Sequence, residues 1–386
     1  MDFDLTPEQE MARQTAREFA DREIAPFARE WDRSEEMDRS IIAKLAAVGF
    51  LGAAIPEEYG GAGFDSLSYC LLIEELGRTD SSVRGVVSVN NGLVGKTVLK
   101  WGTEEQRREW LPRLASGEAL GCYGLTEPGT GSDAGSLITR ADRDGLGDWR
   151  ITGSKIFITN GTWAKVALIF ARTGPADSGP KGITCFLVPT ESEGFSSTPI
   201  TGKLGLRGQD TAELTLDGVR VPDPSRLGGE GEGFKVAMSA LDAGRMSLAA
   251  GCVGIAQGCL EASVAYAKDR TQFARPIARF QLVQELIADI AVETEAARLL
   301  TWRVAALADA DRPHRLESSC AKYFASEVAV RAANAAVQVH GGYGYIDEYP
   351  VGKYLRDARV TTLYEGTSQI QKLIIGRELT GENAFG

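Results

Sequence analysis

The chain has 386 residues, 43% of them hydrophobic and 25% charged, with a net charge of -11. This length suffices for two or three packed units with sizeable cores. The charge excludes nucleic acid as a main partner, because phosphate neutralisation needs clustered Lys and Arg, and no uninterrupted apolar run has the length of a bilayer span, so no membrane insertion is expected. The six cysteines, Cys70, Cys122, Cys185, Cys252, Cys259 and Cys320, contain no CxxC pair and are expected to be reduced thiols in place of a zinc site or disulfide framework. With only His314 and His340 present, no metal site is expected and general-base work falls to a carboxylate. The acidic start Met1-Asp2-Phe3-Asp4 is unlike a secretory or transit signal. It predicts a cytoplasmic protein, with a processed organellar matrix form as the alternative.

Residues 1–120 read as a helical unit. Thr6-Pro7-Glu8-Gln9 combines a capping Thr, a Pro at the first helical position and a Gln that completes a capping box, and Thr103-Glu104-Glu105-Gln106 repeats the box. Between them, Ile41 to Val48 and Leu71 to Leu76 are apolar stripes at helical spacing, separated by the breakers of Pro56 to Gly63. In Ser88-Val89-Asn90-Asn91, two adjacent amides in an apolar helical stretch need partners if buried. They suit a helix–helix polar contact or the end wall of a pocket.

Residues 121–227 change to β texture. Ala212 to Asp217 alternates strictly, Ile183 to Val188 is a short apolar strand, and Gly153-Ser154 and Asn160-Gly161 signal turns, which predicts a small barrel or sandwich. A Gly-rich hinge at residues 228–233 returns the chain to long helices in 228–386, expected near Phe234–Lys268, Gln281–Leu307 and Leu316–Val339. A fourth helix follows Glu365, the number a four-helix bundle needs. The fold class is therefore α+β, with an N-terminal all-α domain, a middle β-barrel-like domain and a C-terminal helical bundle.

Three short stretches carry chemistry. In Tyr123-Gly124-Leu125-Thr126-Glu127-Pro128-Gly129-Thr130-Gly131-Ser132-Asp133 a strand enters a loop whose glycines and hydroxyl groups let backbone N–H groups and oxygens face one polar ligand. In Lys155-Ile156-Phe157-Ile158-Thr159-Asn160-Gly161 an aromatic stands two residues before a Thr, on the same side of a strand, suited to cover a planar ring and bond its edge. In Tyr364-Glu365-Gly366-Thr367-Ser368-Gln369, Glu365 stands just ahead of a helix N-terminus that Thr367 or Ser368 can cap, Ser368 and Gln371 having capping-box spacing. Its basicity depends on burial set against the helix dipole.

With Leu241-Asp242-Ala243-Gly244-Arg245, Asp269 to Phe273, Gln338 to Gly344 and Tyr354 to Arg359, these stretches make the sequence resemble the acyl-CoA dehydrogenase family along essentially the whole chain. The resemblance implies FAD as cofactor, with Tyr123, Leu125, Thr126, Gly131 and Ser132 holding it and Phe157 and Thr159 at the isoalloxazine. Phe157 stands where many relatives have Trp, so the ring face stays covered while the indole N–H is missing. Arg270, Phe273, Phe280, Gln281, Gln338 and Gly342 match positions for the nucleotide portion, several of them from a neighbouring subunit. Thr367 and Gln369 match flavin contacts beside the base. Ser132, Asp242, Arg245, Gly366 and Arg377 match the acyl-CoA side. It further implies Glu365 as the catalytic base, a homotetramer and an electron-transferring flavoprotein as electron acceptor.

The family chemistry explains the grouping. The α-hydrogen of a thioester is a poor acid, so the base needs donors on the thioester oxygen in a dry site; in the family these are the Glu backbone N–H and a flavin hydroxyl. The resemblance is closest to the short-chain, butyryl-type enzymes, through Ser88 to Asn91, Leu241 to Gln257 and Ala297 to Trp302. A short branched acyl-CoA is the alternative substrate. An oxidase reading lacks the usual extra C-terminal domain, and a non-dehydrogenating flavin binder does not fit an acidic chain that keeps Glu365. A glutaryl-type reaction needs a cation for the distal carboxylate, and the sequence identifies none. His340 reads as a packed side chain.

Overall fold

Thr6 and Gln9 bond reciprocally at the first helix start, as do Thr103 and Gln106 at a later one, so both capping boxes form. The computed structural model describes residues 4–384; Met1, Asp2 and Phe3, on which part of the compartment reading rests, lie outside it. The N-terminal helices are α1 (Pro7–Glu23), α2 (Ala28–Ser34), α3 (Ile41–Ala47), α4 (Ser66–Thr79), α5 (Ser81–Ser88), α6 (Lys96–Trp101) and α7 (Glu104–Ala115). A π-helical turn, Val89–Gly95, joins α5 to α6.

That turn explains the paired amides. Asn90 is fully buried, donates to Leu51 O and Leu114 O and accepts from Gly121 N at 3.0–3.1 Å. Asn91 accepts from Ala54 N and donates to Phe50 O and Val87 O. The expected helix–helix polar contact forms between Asn90 and Leu114 on α7, and the same amide also reaches strand β1 and the turn after α3.

Strands β1 (Gly121–Gly124), β2 (Arg140–Arg143), β3 (Trp149–Thr159), β4 (Val166–Arg172), β5 (Ile183–Pro189), β6 (Phe195–Pro199), β7 (Thr211–Val221) and β8 (Arg226–Leu227) form one sheet. Its path runs β6-β7-β3-β2-β4-β5-β8, with β1 parallel to β4, and does not close between β6 and β8. The period of two sorts β4 between two cores. Val166, Leu168 and Phe170 join a cluster shared with helices, while Ala167, Ile169 and Ala171 face an interior shared with β3, β5 and β7. The sheet therefore wraps its own core and presents its other side to the helices.

The C-terminal part contains α8 (Gly233–Asp269), a hairpin of β9 (Thr271–Gln272) and β10 (Arg275–Pro276), α9 (Gln281–Asp309), α10 (Arg315–His340), α11 (Val351–Thr361) and α12 (Ser368–Thr380). It thus holds one helix more than the sequence suggested. Helix α11 buries Val351, Tyr354 and Ala358, and its Lys353 ammonium bridges Asp80 at 2.8 Å and Asp357 at 2.6 Å. Asp80 caps α5, and Asp357 accepts from Leu206 N, so this buried node ties α5, α11 and the β unit together.

Helix α8 is apolar and long enough to cross a bilayer by composition, yet 67% of its most apolar window is buried inside the protein. Its partners include α4, which it meets at backbone distance: a Cβ at Gly254 would lie 2.1 Å from Glu74 O, and one at Gly258 2.5 Å from Arg78 O. N- and C-terminal helices consequently share one continuous core. All six cysteines are free thiols.

Replacing Asn90 by Leu strands one buried N–H and two buried carbonyls, each costing about 1–3 kcal/mol. Asn90→Leu is expected to lose about 3 kcal/mol or more, read as a lower urea midpoint with the slope unchanged.

Candidate active site

The Tyr364–Gln369 stretch connects α11 to α12. Thr367, not Ser368, caps α12, accepting from Ile370 N at 3.2 Å. The expected Ser368–Gln371 box does not form. Ser368 Oγ donates instead to Glu327 Oε1, and Gln371 Nε2 turns back to donate to Glu365 O and Gly366 O, both at 3.1 Å. Lys322 Nζ from α10 donates to Gly366 O at 2.7 Å. These bonds hold Glu365 at φ 53° and Gly366 at φ 88°. A left-handed non-glycine residue costs of order 1–3 kcal/mol and persists where surrounding contacts enforce it.

The strained loop aims the Glu365 carboxyl at α8. Although the residue as a whole is half-buried, its Oε2 is enclosed and has no hydrogen-bond partner. A Cβ at Gly244 would lie 2.4 Å from that oxygen, so only glycine leaves it room. The Glu365 N–H has no acceptor among the described residues. Burial raises the Glu365 pKa above the carboxylate range, and the cations Arg84, Lys322 and Arg245 pull it back down. All three are buried. Lys322 is itself depressed to about 8 by burial, and Arg245 is lowered by burial while paired with Asp242 at 2.7 Å.

The β unit supplies the facing residues. Tyr123 Oη donates to Ala237 O on α8 at 3.2 Å, while Leu125 packs into the core shared with the helices. Glu127 braces the glycine loop from beneath, accepting from Ile138 N, Thr139 N and the buried Lys155 ammonium at 2.7–2.9 Å. Above it the loop is open. Nothing lies within 4 Å of a Cβ built on Gly129 or Gly131, Ser132 is exposed, and the enclosed Thr130 hydroxyl has no partner. A register shift between Lys155 and Ile158 accompanies the φ of 61° at Phe157, which interrupts the simple alternation of the strand and leaves the residue 65% exposed.

The remaining positions fall into two groups. Arg245, Asp242 and Gly366 gather around Glu365, with Thr367 and exposed Gln369 starting α12 and Arg377 in its last turn. Arg270, Phe273, Phe280, Gln281, Gln338 and Gly342 collect at the far end of α8. There a cavity of about 570 Å³ is lined by Arg270, His340 and Gly342, Arg270 lies over the Tyr343 ring, and Phe273 is 89% exposed on the hairpin. By helix rise, Arg270 lies about 40 Å from Gly244 along α8. One chain therefore does not bring both groups to a single ligand. His340 packs as expected: it is buried, bonded through Nδ1 to Ala336 O and stacked on Tyr266, and burial lowers its pKa.

Sequence profiles for the N-terminal, middle and C-terminal domains of acyl-CoA dehydrogenase match residues 6–118, 122–219 and 231–380. The human mitochondrial short-chain specific acyl-CoA dehydrogenase is 42% identical over 97% of this chain and 91% of its own length. Butyryl-CoA dehydrogenase from Megasphaera elsdenii superposes with a TM-score of 0.96 at 39% identity, covering 98% of this chain and all of that one. A chain from the structure described as the electron transferring flavoprotein of Acidaminococcus fermentans does so with 0.96 at 42%, over 99% of this chain and all of that one. The chain belongs to the acyl-CoA dehydrogenase family.

As an acyl-CoA dehydrogenase it is an FAD-dependent oxidoreductase. Its own residues fit that cofactor: the side-chain-free rim at Gly129 and Gly131, the orphaned Thr130 hydroxyl and the outward Phe157 ring make a polar cradle beside an apolar face.

The sequence reading missed several parts of the dehydrogenase site. Gln209 donates to Thr159 Oγ1 at 3.0 Å, and Lys322 and Gln371 set the loop conformation. Buried Arg84, a cation that acts on Glu365, also lies outside the set of residues expected from the sequence. Its signal is a lone charge in the apolar segment Val83-Arg84-Gly85-Val86-Val87; Lys322 and Gln371 stand among ordinary helix formers and give none.

The Glu365 carboxyl is expected to titrate above the ordinary Glu value of about 4.3. Lys322→Met removes a cation that favours the anion and moves the titration further up. Infrared difference spectroscopy of the carboxyl band against pH checks both shifts.

Proposed function

We propose that this enzyme oxidises a short-chain acyl-CoA to the trans-2-enoyl-CoA, with Glu365 removing the α-proton. The observation that carries this reading is the enclosed, unpartnered Oε2 of Glu365, held against Gly244 by a strained loop. A carboxylate without donors is a stronger base than a solvated one, and burial keeps its pKa raised toward the range useful in proton abstraction. The Glu365 N–H, which has no acceptor of its own among the described residues, is available to the thioester oxygen as negative charge develops there. Leu93 shares the Gly244 position with the carboxylate, and buried Tyr69 and Arg84 lie near enough to interact with it, which favours a site poor in water. FAD, when bound, supplies the acceptor for the hydride leaving the β-carbon. Thr126, Thr130, Ser132, Phe157 and Thr159 hold its flavin end, and Asp242, Arg245 and Arg377 serve the acyl-CoA side.

The separation of Arg270 and Gly342 from this cradle supports assembly with further copies of the chain, in which they meet the nucleotide portion bound by a neighbour. The exposed Phe273 favours burial at such an interface. Electrons then pass to an electron-transferring flavoprotein, a reading supported by the likeness to a chain from the Acidaminococcus structure.

Anaerobic titration of the yellow enzyme with short acyl-CoA thioesters is expected to bleach the flavin. Glu365→Gln is expected to keep flavin and thioester binding and to lose at least about 1,000-fold in the bleaching rate, within the range of general-base contributions. A variant that bleaches at the parent rate removes Glu365 from this role.

A further inference from the structure

Strand β3 ends on a hydroxyl whose own hydrogen is left over. Gln209 Nε2 donates to Thr159 Oγ1 at 3.0 Å, and the half-buried Thr159 O–H has no acceptor among the described residues. A hydroxyl that accepts a hydrogen bond turns its own hydrogen away from that partner, so the amide makes Thr159 a donor to whatever lies on its exposed side. Gln209 itself is 5% exposed, a depth at which a polar side chain needs partners. Its Nε2 also approaches Thr211 Oγ1 at 3.5 Å, and the Thr211 hydroxyl is committed to Gln209 O. Both threonine oxygens therefore call for the amide nitrogen on this side.

We propose that Gln209 is a positioning residue that fixes the Thr159 hydroxyl as a hydrogen-bond donor to the flavin edge, and that this donor favours reduction of the cofactor. The proposal rests on the reading that places Thr159 against the flavin and adds the residue that sets the polarity of that contact. A donor held in place stabilises the negative charge that the ring gains with the hydride.

The fold builds a slot for the amide. Gly85 lies in the interior of α5, where glycine weakens a helix relative to alanine. A Cβ there would lie 1.9 Å from Gln209 Oε1 and 3.0 Å from its Cδ, so the missing methyl group makes the room that the side chain occupies. The backbone of Gln209 is pinned as well. Its N–H bonds to Leu206 O in a turn where Leu206 adopts φ 50°, and its carbonyl accepts from Lys203 Nζ at 2.8 Å. Leu206 N donates to Asp357, and Asp357 shares the Lys353 ammonium with Asp80, the cap of α5. One buried ion cluster thus sets both the helix that carries the slot and the turn that carries the amide. A side chain that only filled space would not need a glycine opposite it and a polar end against a hydroxyl.

The test reads the midpoint potential of the FAD-loaded enzyme by anaerobic titration against a reference dye, with no acyl-CoA present, so that the result does not depend on the substrate. Gln209→Leu is expected to shift the flavin equilibrium about tenfold towards the oxidised form, the scale of a hydrogen bond to a charged group, which is about 30 mV for a two-electron couple. Gly85→Ala suits the helix but displaces the amide, and is expected to shift the potential in the same direction. In Thr159→Val, which has no hydroxyl to direct, adding Gln209→Leu is expected to change the equilibrium less than about twofold, as for uncoupled positions. The proposal is overturned if Gln209→Leu and Gly85→Ala keep the parent potential, or if Gln209→Leu shifts it equally with and without the Thr159 hydroxyl, the signature of a packing role. Where Gln209→Leu loses its flavin, Gly85→Ala with and without Thr159→Val carries the same comparison. If Thr159→Val moves neither the potential nor the visible flavin spectrum, Thr159 does not contact the flavin and the underlying reading falls with the proposal. If Thr159→Val shifts the potential and the Gln209 and Gly85 variants do not, only the proposal falls.

Discussion

The site depends on keeping one carboxylate in a place where it is uncomfortable. Glu365 is forced into left-handed backbone, its Oε2 is shut away without a donor, and three cations hold the charge short of full suppression. Neither influence suffices alone. Burial alone pushes the pKa of the group up, and the cations, which act through space without a direct ion pair among the described residues, pull it back down. The loop bonds from Lys322 and Gln371 keep the two in balance, because they grip backbone carbonyls and leave the carboxyl untouched.

Helix α8 is the common frame for that balance. Gly254 and Gly258 let α4 approach at backbone distance, which fixes the N-terminal helices against the C-terminal ones, and Gly244 admits the carboxylate. Asn90, bonded to the loop after α3, to α7 and to β1, sets the β unit against the same helices. The facing halves of the site therefore come from three segments whose relative position is fixed by buried polar bonds and close helix packing.

Two geometric facts order the residues along α8. The Glu365 and Arg270 ends of α8 lie about 40 Å apart, which keeps the residues around the base and those around Arg270 at opposite ends of one helix. Gly244 and Gly251 stand on one face of the same helix, the first against Glu365 and the second against Arg84, so both charges flank one stretch of α8.

Local chemistry made much of this legible in the sequence. Both N-terminal capping boxes, the change from helical to strand texture near residue 121 and the stretch around Glu365 are set by neighbours in the chain, where propensity and spacing act directly. The capping box at Ser368 failed because Gln371 found better acceptors in the Glu365 and Gly366 carbonyls, a choice made by the fold of the loop. Helix α11 escaped notice because part of what it buries is a Lys–Asp cluster whose partner, Asp80, lies far away in sequence. Arg84 is marked in the sequence only as a lone charge among valines, and its burial comes from α8 and Tyr364 closing over it. The sequence by itself determined most of the elements, the family and the stretch that carries Glu365. Tertiary structure alone decided the strained conformation of Glu365 and the cations around it, since burial and long-range electrostatics depend on segments that meet only when the chain folds.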